Sequence, residues 1–318
     1  MWTGLAGLYD GLVAPAFGAP GFNARRRTWS PDAIPNDLSD QRILLTGATS
    51  GIGKAAALEL GKRGARLVLV GRNTARGQAV CERIIAAGGD QPQFIQADLS
   101  DLEQASSLAT ALEGDEPLTG LVHNAGALTK EHHYSPQGVE ATFATHVLAP
   151  WLLTHRLEHV ISEGGRVVFV SSGGMYLQRL QPELLDHGPS PYNGVIAYAQ
   201  AKRAQLMVLD HLAPTLRAKG IICSAMHPGW VDTPGVRQSL PTFRALTRRL
   251  LRTPEQGADT IVWLTASQEA KEASGKFYLD RVARPHHAWF ARTVPTAEER
   301  AQLIAIIDKW TAPYMHEV

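Results

Sequence analysis

A tyrosine and a lysine four residues apart are the side chains of this sequence best suited to move a proton. Tyr198 and Lys202 stand at the two ends of the segment YAQAK, and side chains at positions i and i+4 of a helix lie on one face. A phenol with a pKa of about 10 is a weak acid–base catalyst at neutral pH. A neighbouring ammonium group stabilises the phenolate and lowers that pKa. The pair by itself is a weak signal, so the elements that would position it must support the prediction.

From residue 41 onward, short β-rich runs alternate with helical patterns. Most of the strand candidates are continuous apolar runs, which are typical of strands buried on both faces of a parallel sheet covered by helices. Repeated β–α units of this kind predict a Rossmann-like, doubly wound α/β fold with a seven-stranded, mostly parallel sheet and helices on both faces. The seven strand candidates are residues 42–46, 66–70, 93–96, 120–123, 166–171, 221–225 and 276–279.

The first strand candidate runs directly into a glycine-rich turn that precedes a helix. Glycines let the backbone turn tightly and approach a pyrophosphate, and the helix N-terminus offers free N–H groups and the positive end of its dipole. Between the first strand and the first helix of a β–α array, such a turn predicts a dinucleotide site. The predicted contacts in this turn are Gly47, Thr49, Ser50, Gly51, Ile52 and Gly53.

The end of the second strand distinguishes between the two nicotinamide dinucleotides. A carboxylate there would hydrogen-bond the ribose 2′-OH of NAD, but the sequence has a glycine followed by Arg72 and Asn73. Arginine is the natural partner of the 2′-phosphate through charge-assisted bonds, so the sequence predicts NADP(H) in preference to NAD(H). Asp98 and Leu99 end the third strand, where an adenine contact is expected, although Asp98 could equally cap the next helix.

The order of these motifs closely resembles that of the short-chain dehydrogenase/reductase family. Its members carry a TGxxxGxG loop, an NAG motif, a serine at the end of the fifth strand, a YxxxK pair and a PG turn. In this sequence they correspond to residues 46–53, residues 124–126, Ser172, Tyr198 with Lys202, and Pro228-Gly229. The resemblance spans about residues 40–285. It is closest to the retinol-dehydrogenase-like branch and, within that branch, to the subgroup of dehydrogenase/reductase member twelve.

The resemblance implies an enzyme, a carbonyl reductase or alcohol dehydrogenase, that passes a hydride between the nicotinamide and a carbonyl or alcohol carbon. It implies that Tyr198 gives or takes the substrate proton. Lys202 would lower the pKa of the tyrosine and hold the nicotinamide ribose, and the Ser172 hydroxyl would orient the carbonyl. The other implied cofactor contacts are Asn124, Ala125 and Gly126 behind the cofactor and Pro228, Gly229, Val231 and Thr233 around the nicotinamide.

His146 departs from the family pattern. It stands where a catalytic asparagine is usual, and that asparagine organises a water in a proton relay from the lysine. His146 could serve the relay, because an imidazole can hydrogen-bond water and carry a proton. It could instead be a packed helix residue, with another route of water molecules carrying the proton from the lysine. In the third interpretation catalysis is impaired and the protein is an NADP(H)-binding sensor or scaffold; the retention of Ser172, Tyr198 and Lys202 argues against it.

Composition and net charge indicate which other partners, metals and cellular locations to expect. The 318 residues carry a formal net charge of +1, so charge gives no reason to expect a nucleic-acid partner. The histidines lack partners at metal-ligand spacing, and no metal site is predicted. Cys81 and Cys223 are predicted to be buried free thiols, which favours a reducing, cytoplasmic location. We expect a small-molecule substrate, and a homodimer stays open because members of the family are often dimers or tetramers.

Residues 1–40 form an N-terminal extension with a helical pattern before a core domain at residues 41–285. Apolar residues recur in it at helical spacing, and they are Trp2, Leu5, Leu8, Leu12 and Val13. A helix packed on the body of the protein is the favoured interpretation. The alternative is a helix lying in a membrane surface, with peripheral membrane association.

The substrate side is predicted to be apolar. A lid is expected at about residues 230–252, and residues 286–318 are expected to form a C-terminal helical extension. The segments after the fourth, fifth and sixth strands should line the pocket, and their composition predicts an apolar or amphipathic substrate. The candidate lining residues are Met175, Tyr176, Leu177, Leu180, Tyr192, Trp230, Leu240, Phe243 and Leu246.

Overall fold

One mostly parallel sheet organises the part of the chain that the computed structural model describes, residues 16–287 and 293–315. Its strands are β1 Arg42–Thr46, β2 Arg66–Gly71, β3 Gln93–Gln96, β4 Leu118–His123, β5 Ile161–Val170, β6 Ile222–Met226, β7 Phe277–Leu279 and β8 Val282–Arg284. They pair in the order β3-β2-β1-β4-β5-β6-β7-β8. The pairs from β3 to β7 are parallel, and β8 returns antiparallel to β7.

Helices cover both faces of the sheet. They are α1 Ala19–Arg26, α2 Gly51–Lys62, α3 Thr74–Ala86, α4 Leu102–Glu113, α5 Ala141–Phe143, α6 Ala149–Leu157, α7 Gly194–Ala218, α8 Pro234–Ser239, α9 Pro241–Thr247, α10 Pro254–Ala266 and α11 Ala297–Thr311. Side chains of β1 alternate between two apolar layers: Leu44 packs with α4, α6 and α7, whereas Ile43 and Leu45 pack with α2, α3 and α10. This two-sided burial explains why the strand reads as a continuous apolar run.

The predicted doubly wound α/β class is confirmed, and the predicted strand number was one too low for the described residues. The sequence predicted seven strands, and the structure adds β8. This strand has only three residues, mostly exposed, at the edge of the sheet. A hairpin joins it to β7 through Asp280 and Arg281, whose φ angles are +53° and +62°. Such a short exposed strand has no apolar periodicity from which it could be recognised.

The N-terminal part of the described chain is fixed to the body by a buried charge cluster. Arg25 Nε donates to Asp280 Oδ2 at 2.8 Å, and a guanidinium N–H of Arg252 donates to the same oxygen at 2.8 Å. All three side chains are buried. Arg252 also donates to the carbonyl oxygens of Ala16 and Gly18. The cluster therefore joins the segment that contains α1 to the β7–β8 hairpin.

The predicted apolar helix that would contain Trp2, Leu5, Leu8, Leu12 and Val13 lies outside the described residues. Within residues 16–287 and 293–315, the helices are all too short or too polar to cross a bilayer. Cys81 and Cys223 are free thiols, and only Cys223 is fully buried, so the expected burial of Cys81 is incomplete.

Replacing Asp280 with asparagine tests the charge cluster. Asp280→Asn removes the carboxylate that the buried guanidinium groups of Arg25 and Arg252 share, and breaking a buried ion pair in this way costs about 3–5 kcal/mol. We expect the free energy of unfolding in urea to fall by that amount. Asp308→Asn, on the exposed side of α11, is the matched control and should change it by less than about 0.5 kcal/mol. Equal stabilities of the two variants would contradict this account.

Candidate active site

A cleft of about 830 Å³ lies at the carboxyl ends of the parallel strands. Such an edge of a doubly wound sheet is where ligands bind in open α/β folds. Every residue predicted as catalytic or cofactor-binding lines it. Those from β1 to β3 are Gly47, Thr49, Ser50, Gly51, Ile52, Gly53, Arg72, Asn73, Asp98 and Leu99, and the others are Asn124, Ala125, Gly126, His146, Ser172, Tyr198, Lys202, Pro228, Gly229, Val231 and Thr233.

The turn after β1 has the shape of a phosphate cradle. Gly47 and Gly51 have φ angles of +67° and +53°, which favour glycine. A Cβ atom on Gly53 would lie 2.3 Å from the carbonyl oxygen of Gly47, so a side chain would fill the turn. Ser50 is the N-cap of α2 but makes no side-chain capping bond. The first N–H groups of α2 consequently stay available for an anion, and the turn fits a dinucleotide phosphate.

Thr46 and Asn124 join this turn to the segment after β4. The Thr46 hydroxyl accepts the N–H groups of Asn124 and Ala125, each at 3.0 Å. The Asn124 side chain donates to the carbonyl oxygens of Thr46 at 2.9 Å and Gly47 at 3.2 Å. Sequence reasoning placed Thr46 in the glycine-rich motif but gave it no function. Its position at the end of β1, directly beside β4, is a consequence of the strand order.

The residues after β2 form the far end of the cleft. The Arg72 side chain is 71% exposed and lies 3.7 Å from the Asp98 carboxylate. Asn73 caps α3 by accepting the Arg76 N–H at 2.9 Å. Arg76 also lines the cleft, and sequence reasoning missed it because the residue lies one helical turn beyond the motif. Two arginines therefore offer positive charge where a 2′-phosphate is expected.

Position 71 requires glycine because the neighbouring Thr49 side chain leaves no room for a Cβ atom. A Cβ atom there would lie 2.5 Å from Thr49 Cγ2, so the phosphate turn packs directly against the end of β2.

One sequence interpretation made Asp98 the cap of α4, and the structure contradicts it. The Asp98 carboxylate accepts the Ser100 N–H at 3.0 Å. Asp101 caps that helix instead. Asp98 lines the cleft, and its contact with the adenine stays a prediction.

Ser172, Tyr198 and Lys202 come together from two elements. Ser172 ends the segment after β5 and begins a short 3₁₀ turn. Tyr198 and Lys202 lie on α7, which begins after Asn193, whose side chain accepts the N–H groups of the first turn. Lys202 Nζ donates to the Val170 carbonyl oxygen at 2.8 Å and lies 5.6 Å from the centre of the Tyr198 ring. The helix face predicted from the i,i+4 spacing therefore points into the cleft.

Burial dominates the ionisation of this group. It raises the pKa of Tyr198, while a hydrogen bond with Ser172 acts in the opposite direction. Burial also lowers the pKa of Lys202 to about 7. This differs from the expectation that the lysine lowers the pKa of the tyrosine, because both charged forms lose hydration in the closed end of the cleft. At neutral pH the phenol is protonated and can donate its proton.

His146 is a fully buried residue of a π-helical turn, Ala144–Leu148, between α5 and α6. Its Nε2 atom accepts the Ala127 N–H at 3.1 Å, and its ring packs edge-on against Tyr198 at 5.3 Å. A Cβ atom on Gly126 would lie 2.3 Å from His146 Nε2. Burial and the positive charge of Lys202 hold the pKa of His146 well below its usual range. These contacts favour the interpretation of a packed, neutral helix residue over a proton carrier.

The substrate end is apolar, but its lining differs in part from the predicted set. Four of the nine candidates line the cleft, namely Leu177, Trp230, Leu240 and Phe243. Met175 and Leu180 are buried in the core, and Leu246 is 83% exposed. The hydroxyl of Tyr176 donates to the Pro285 carbonyl oxygen, and that of Tyr192 donates to Glu140. Composition indicated the character of these loops but not which face of each loop points inward. The lining also includes Leu128, Val236 and Ser239, which lie in the predicted segments but were not singled out, and Val195 on α7, which lies outside them.

Comparison with known proteins agrees with this geometry. A family model described as short chain dehydrogenase matches residues 41–242. The chain belongs to the short-chain dehydrogenase/reductase family. Membership makes it an oxidoreductase that acts on alcohol and carbonyl groups. Dehydrogenase/reductase SDR family member 12 of Homo sapiens is 38% identical over 286 residues, which cover 87% of this chain and 90% of that protein.

A second relative and a solved structure support the same assignment. Retinol dehydrogenase 11 of Homo sapiens is 31% identical over 274 residues, 84% of this chain and 83% of that protein. The predicted retinol-dehydrogenase-like branch is therefore confirmed. A putative NAD(P) dependent gluconate 5-dehydrogenase from Beutenbergia cavernae, solved with bound NADP, superposes with a TM-score of 0.64 at 25% identity, covering 77% of this chain and 97% of that one.

His146→Asn tests the assignment of His146 as a neutral packed residue. Because the ring accepts a backbone N–H and its pKa lies far below neutral, it gains no proton between pH 6 and pH 9. We expect the variant to keep the shape of the wild-type pH–rate profile over this range, whatever its absolute rate. The measurement is kcat against pH with a fixed ketone. A limb that appears or disappears in the variant would restore the relay interpretation.

Proposed function

We propose that this protein reduces the carbonyl group of an apolar or amphipathic ketone or aldehyde with NADPH. The observation that carries the proposal is the meeting of Ser172, Tyr198 and Lys202 at one end of a cleft whose other end is a phosphate cradle. Bound NADPH would supply the hydride to the carbonyl carbon. Ser172 would orient the carbonyl oxygen, and Tyr198 would give that oxygen its proton.

The ionisation of the group suits carbonyl reduction. A phenol is protonated at neutral pH, and burial raises the pKa of Tyr198 further, so Tyr198 has a proton to give. A positioned general acid contributes roughly 10²- to 10⁴-fold to a rate. Lys202 Nζ has further N–H bonds beyond the one to Val170, and these would hold the nicotinamide ribose. Both features meet what carbonyl reduction requires of the protein.

The lining of the cleft supports an uncharged substrate. Among the described residues, the charged side chains that line it are Arg72, Arg76 and Asp98 at the cofactor end, and Lys202. Three of the five lid arginines are engaged elsewhere: Arg237 and Arg244 both bond Asp232, at 3.0 Å and 2.8 Å, and Arg252 is buried against Asp280. The other two, Arg248 and Arg249, are exposed and do not line the cleft. Inside the cleft, an acidic substrate tail would therefore meet no arginine at that end. Leucine, valine and aromatic side chains there favour an apolar or amphipathic ketone.

A preference for NADP(H) is the finer part of the proposal. It is supported by Arg72, directly after β2, by Arg76 in the first turn of α3, and by the absence of a carboxylate at position 71. It is also supported by the related gluconate 5-dehydrogenase, which was solved with NADP. The alternative, a sensor that binds the cofactor without turnover, is not favoured, because the three reacting side chains are all present and oriented into one cleft.

Tyr198→Phe tests the general acid. The variant keeps the ring and loses only the hydroxyl, so we expect kcat to fall about 10²- to 10⁴-fold. The affinity for NADPH, followed by its fluorescence, should stay within about threefold, since the cradle is untouched. Assays would use a panel of apolar aldehydes and ketones. Tyr134→Phe, at an exposed tyrosine, is the matched control. Wild-type protein that binds NADPH but reduces no compound of a broad panel would favour the sensor.

Arg72→Gln tests the choice of cofactor. The variant loses a charge-assisted bond to the 2′-phosphate. Because Arg72 is exposed, this bond should contribute at the low end of the range for such bonds, and its loss should raise the Kd for NADPH by about tenfold. The Kd for NADH, which lacks that phosphate, should not change. Both values come from fluorescence titration, with Arg217→Gln on the exposed side of α7 as control. If the wild type binds NADH more tightly than NADPH, the argument from Arg72 is wrong.

A further inference from the structure

His227 is a buried lining residue of the cleft, and its imidazole bonds two turns of that cleft. His227 follows β6 and is only 3% exposed. Its Nδ1 atom accepts the N–H of Gly173 at 3.1 Å and the N–H of Gly229 at 3.4 Å. Gly173 directly follows Ser172, and Gly229 belongs to the turn expected beside the nicotinamide. A single ring atom therefore links the backbone next to Ser172 with the backbone of that turn.

Each of the two turns has a glycine where a side chain would collide with a buried group. A Cβ atom on Gly173 would lie 2.8 Å from His227 Nε2, so the ring occupies the space where a side chain would be. Gly229 has a φ of +80°, and a Cβ atom there would lie 2.3 Å from the Arg252 guanidinium. A packed imidazole and a packed guanidinium thus each require a glycine in the turn that they support.

The ring must be neutral to serve both N–H groups. Nδ1 accepts two hydrogen bonds and has no hydrogen of its own, so Nε2 carries the proton. Burial and the positive charges of Arg252 and Arg25 lower the pKa of His227 to about 3. The ring stays neutral, and an acceptor, throughout the physiological range.

The N-terminal segment holds the other side of the ring. Phe17 packs against His227 in a T-shaped contact, with ring centres 4.8 Å apart. The carbonyl oxygen of Phe17 accepts the Trp230 N–H at 2.8 Å. The imidazole is therefore fixed from the side of Ser172, from its own turn and from the chain that precedes α1.

We propose that His227 is a positioning residue whose Nδ1 atom fixes the Ser172 turn relative to the Pro228-Gly229 turn. It would thereby set the substrate carbonyl, held by Ser172, at the correct distance from the nicotinamide. The kinetic consequence rests on the proposed function, whereas the hydrogen-bonded link between the turns does not. A misplacement of about 1 Å between reacting groups can cost about 10²-fold in rate.

Two variants with the same branched side-chain skeleton of four heavy atoms separate the acceptor from the packing. Asparagine places an oxygen close to the position of Nδ1, and leucine keeps the branched shape without an acceptor. We expect His227→Leu to lower kcat for the ketone that wild type reduces fastest by about 10- to 100-fold, with KM and the NADPH Kd within about threefold. His227→Asn should restore kcat to within about threefold of wild type. Equal losses in both variants, or none in the leucine variant, would overturn the proposal.

Nuclear magnetic resonance tests the link without turnover. With ¹⁵N-labelled histidine, the wild-type ring should show a proton on Nε2 and no titration between pH 5 and pH 8. The Gly173 amide should exchange slowly with solvent in wild type and in His227→Asn, and at least tenfold faster in His227→Leu. A proton on Nδ1, or identical exchange in all three proteins, would refute the link. A protected Gly173 amide in a protein that reduces no carbonyl would instead refute only the proposed function.

Discussion

The parallel pairing of β1 with β4 is the contact on which the site depends. It aligns Leu45 with Val122, so both strands end at the same level and Thr46 comes to lie beside Asn124. The Thr46 hydroxyl can then accept two N–H groups of the following segment, and Asn124 can close the phosphate turn from the other side. β1 and β4 are separated along the chain by β2 and β3, and the strand order places both of these on the other side of β1, which leaves the near edge of β1 for β4.

Burial of polar side chains is the second common feature of the cleft. His146, Lys202 and His227 are almost fully enclosed, and desolvation disfavours their charged forms. The two histidines are thereby kept as neutral acceptors of backbone N–H groups, so they act as parts of the framework. Tyr198 keeps its proton for the same reason. In the closed end of the cleft, the exclusion of water shifts the pKa values of these side chains more than pairing with opposite charges does.

The N-terminal segment belongs to the architecture of the cleft even though it precedes the first strand. Its carbonyl oxygens at Ala16 and Gly18 satisfy Arg252, whose guanidinium lies against Gly229. Arg25 and Arg252 share the carboxylate of Asp280, and backbone carbonyls supply further acceptors of the kind that such a cluster needs. The turn expected to surround the nicotinamide is therefore supported from behind by residues more than 200 positions away.

The sequence by itself determined the fold class, the family and the candidate catalytic and cofactor-binding residues, all of which line the cleft, because these depend on local signals. Continuous apolar runs mark buried strands, and glycines mark turns that no other residue can form. The i,i+4 spacing of Tyr198 and Lys202 marks one helix face. Only the tertiary structure decided what those residues experience: that burial raises the pKa of Tyr198, that His146 accepts a backbone N–H, and that Leu180 faces the core. It also revealed β8, Thr46, Arg76 and His227, since desolvation and contacts between distant segments leave no periodic trace in a sequence.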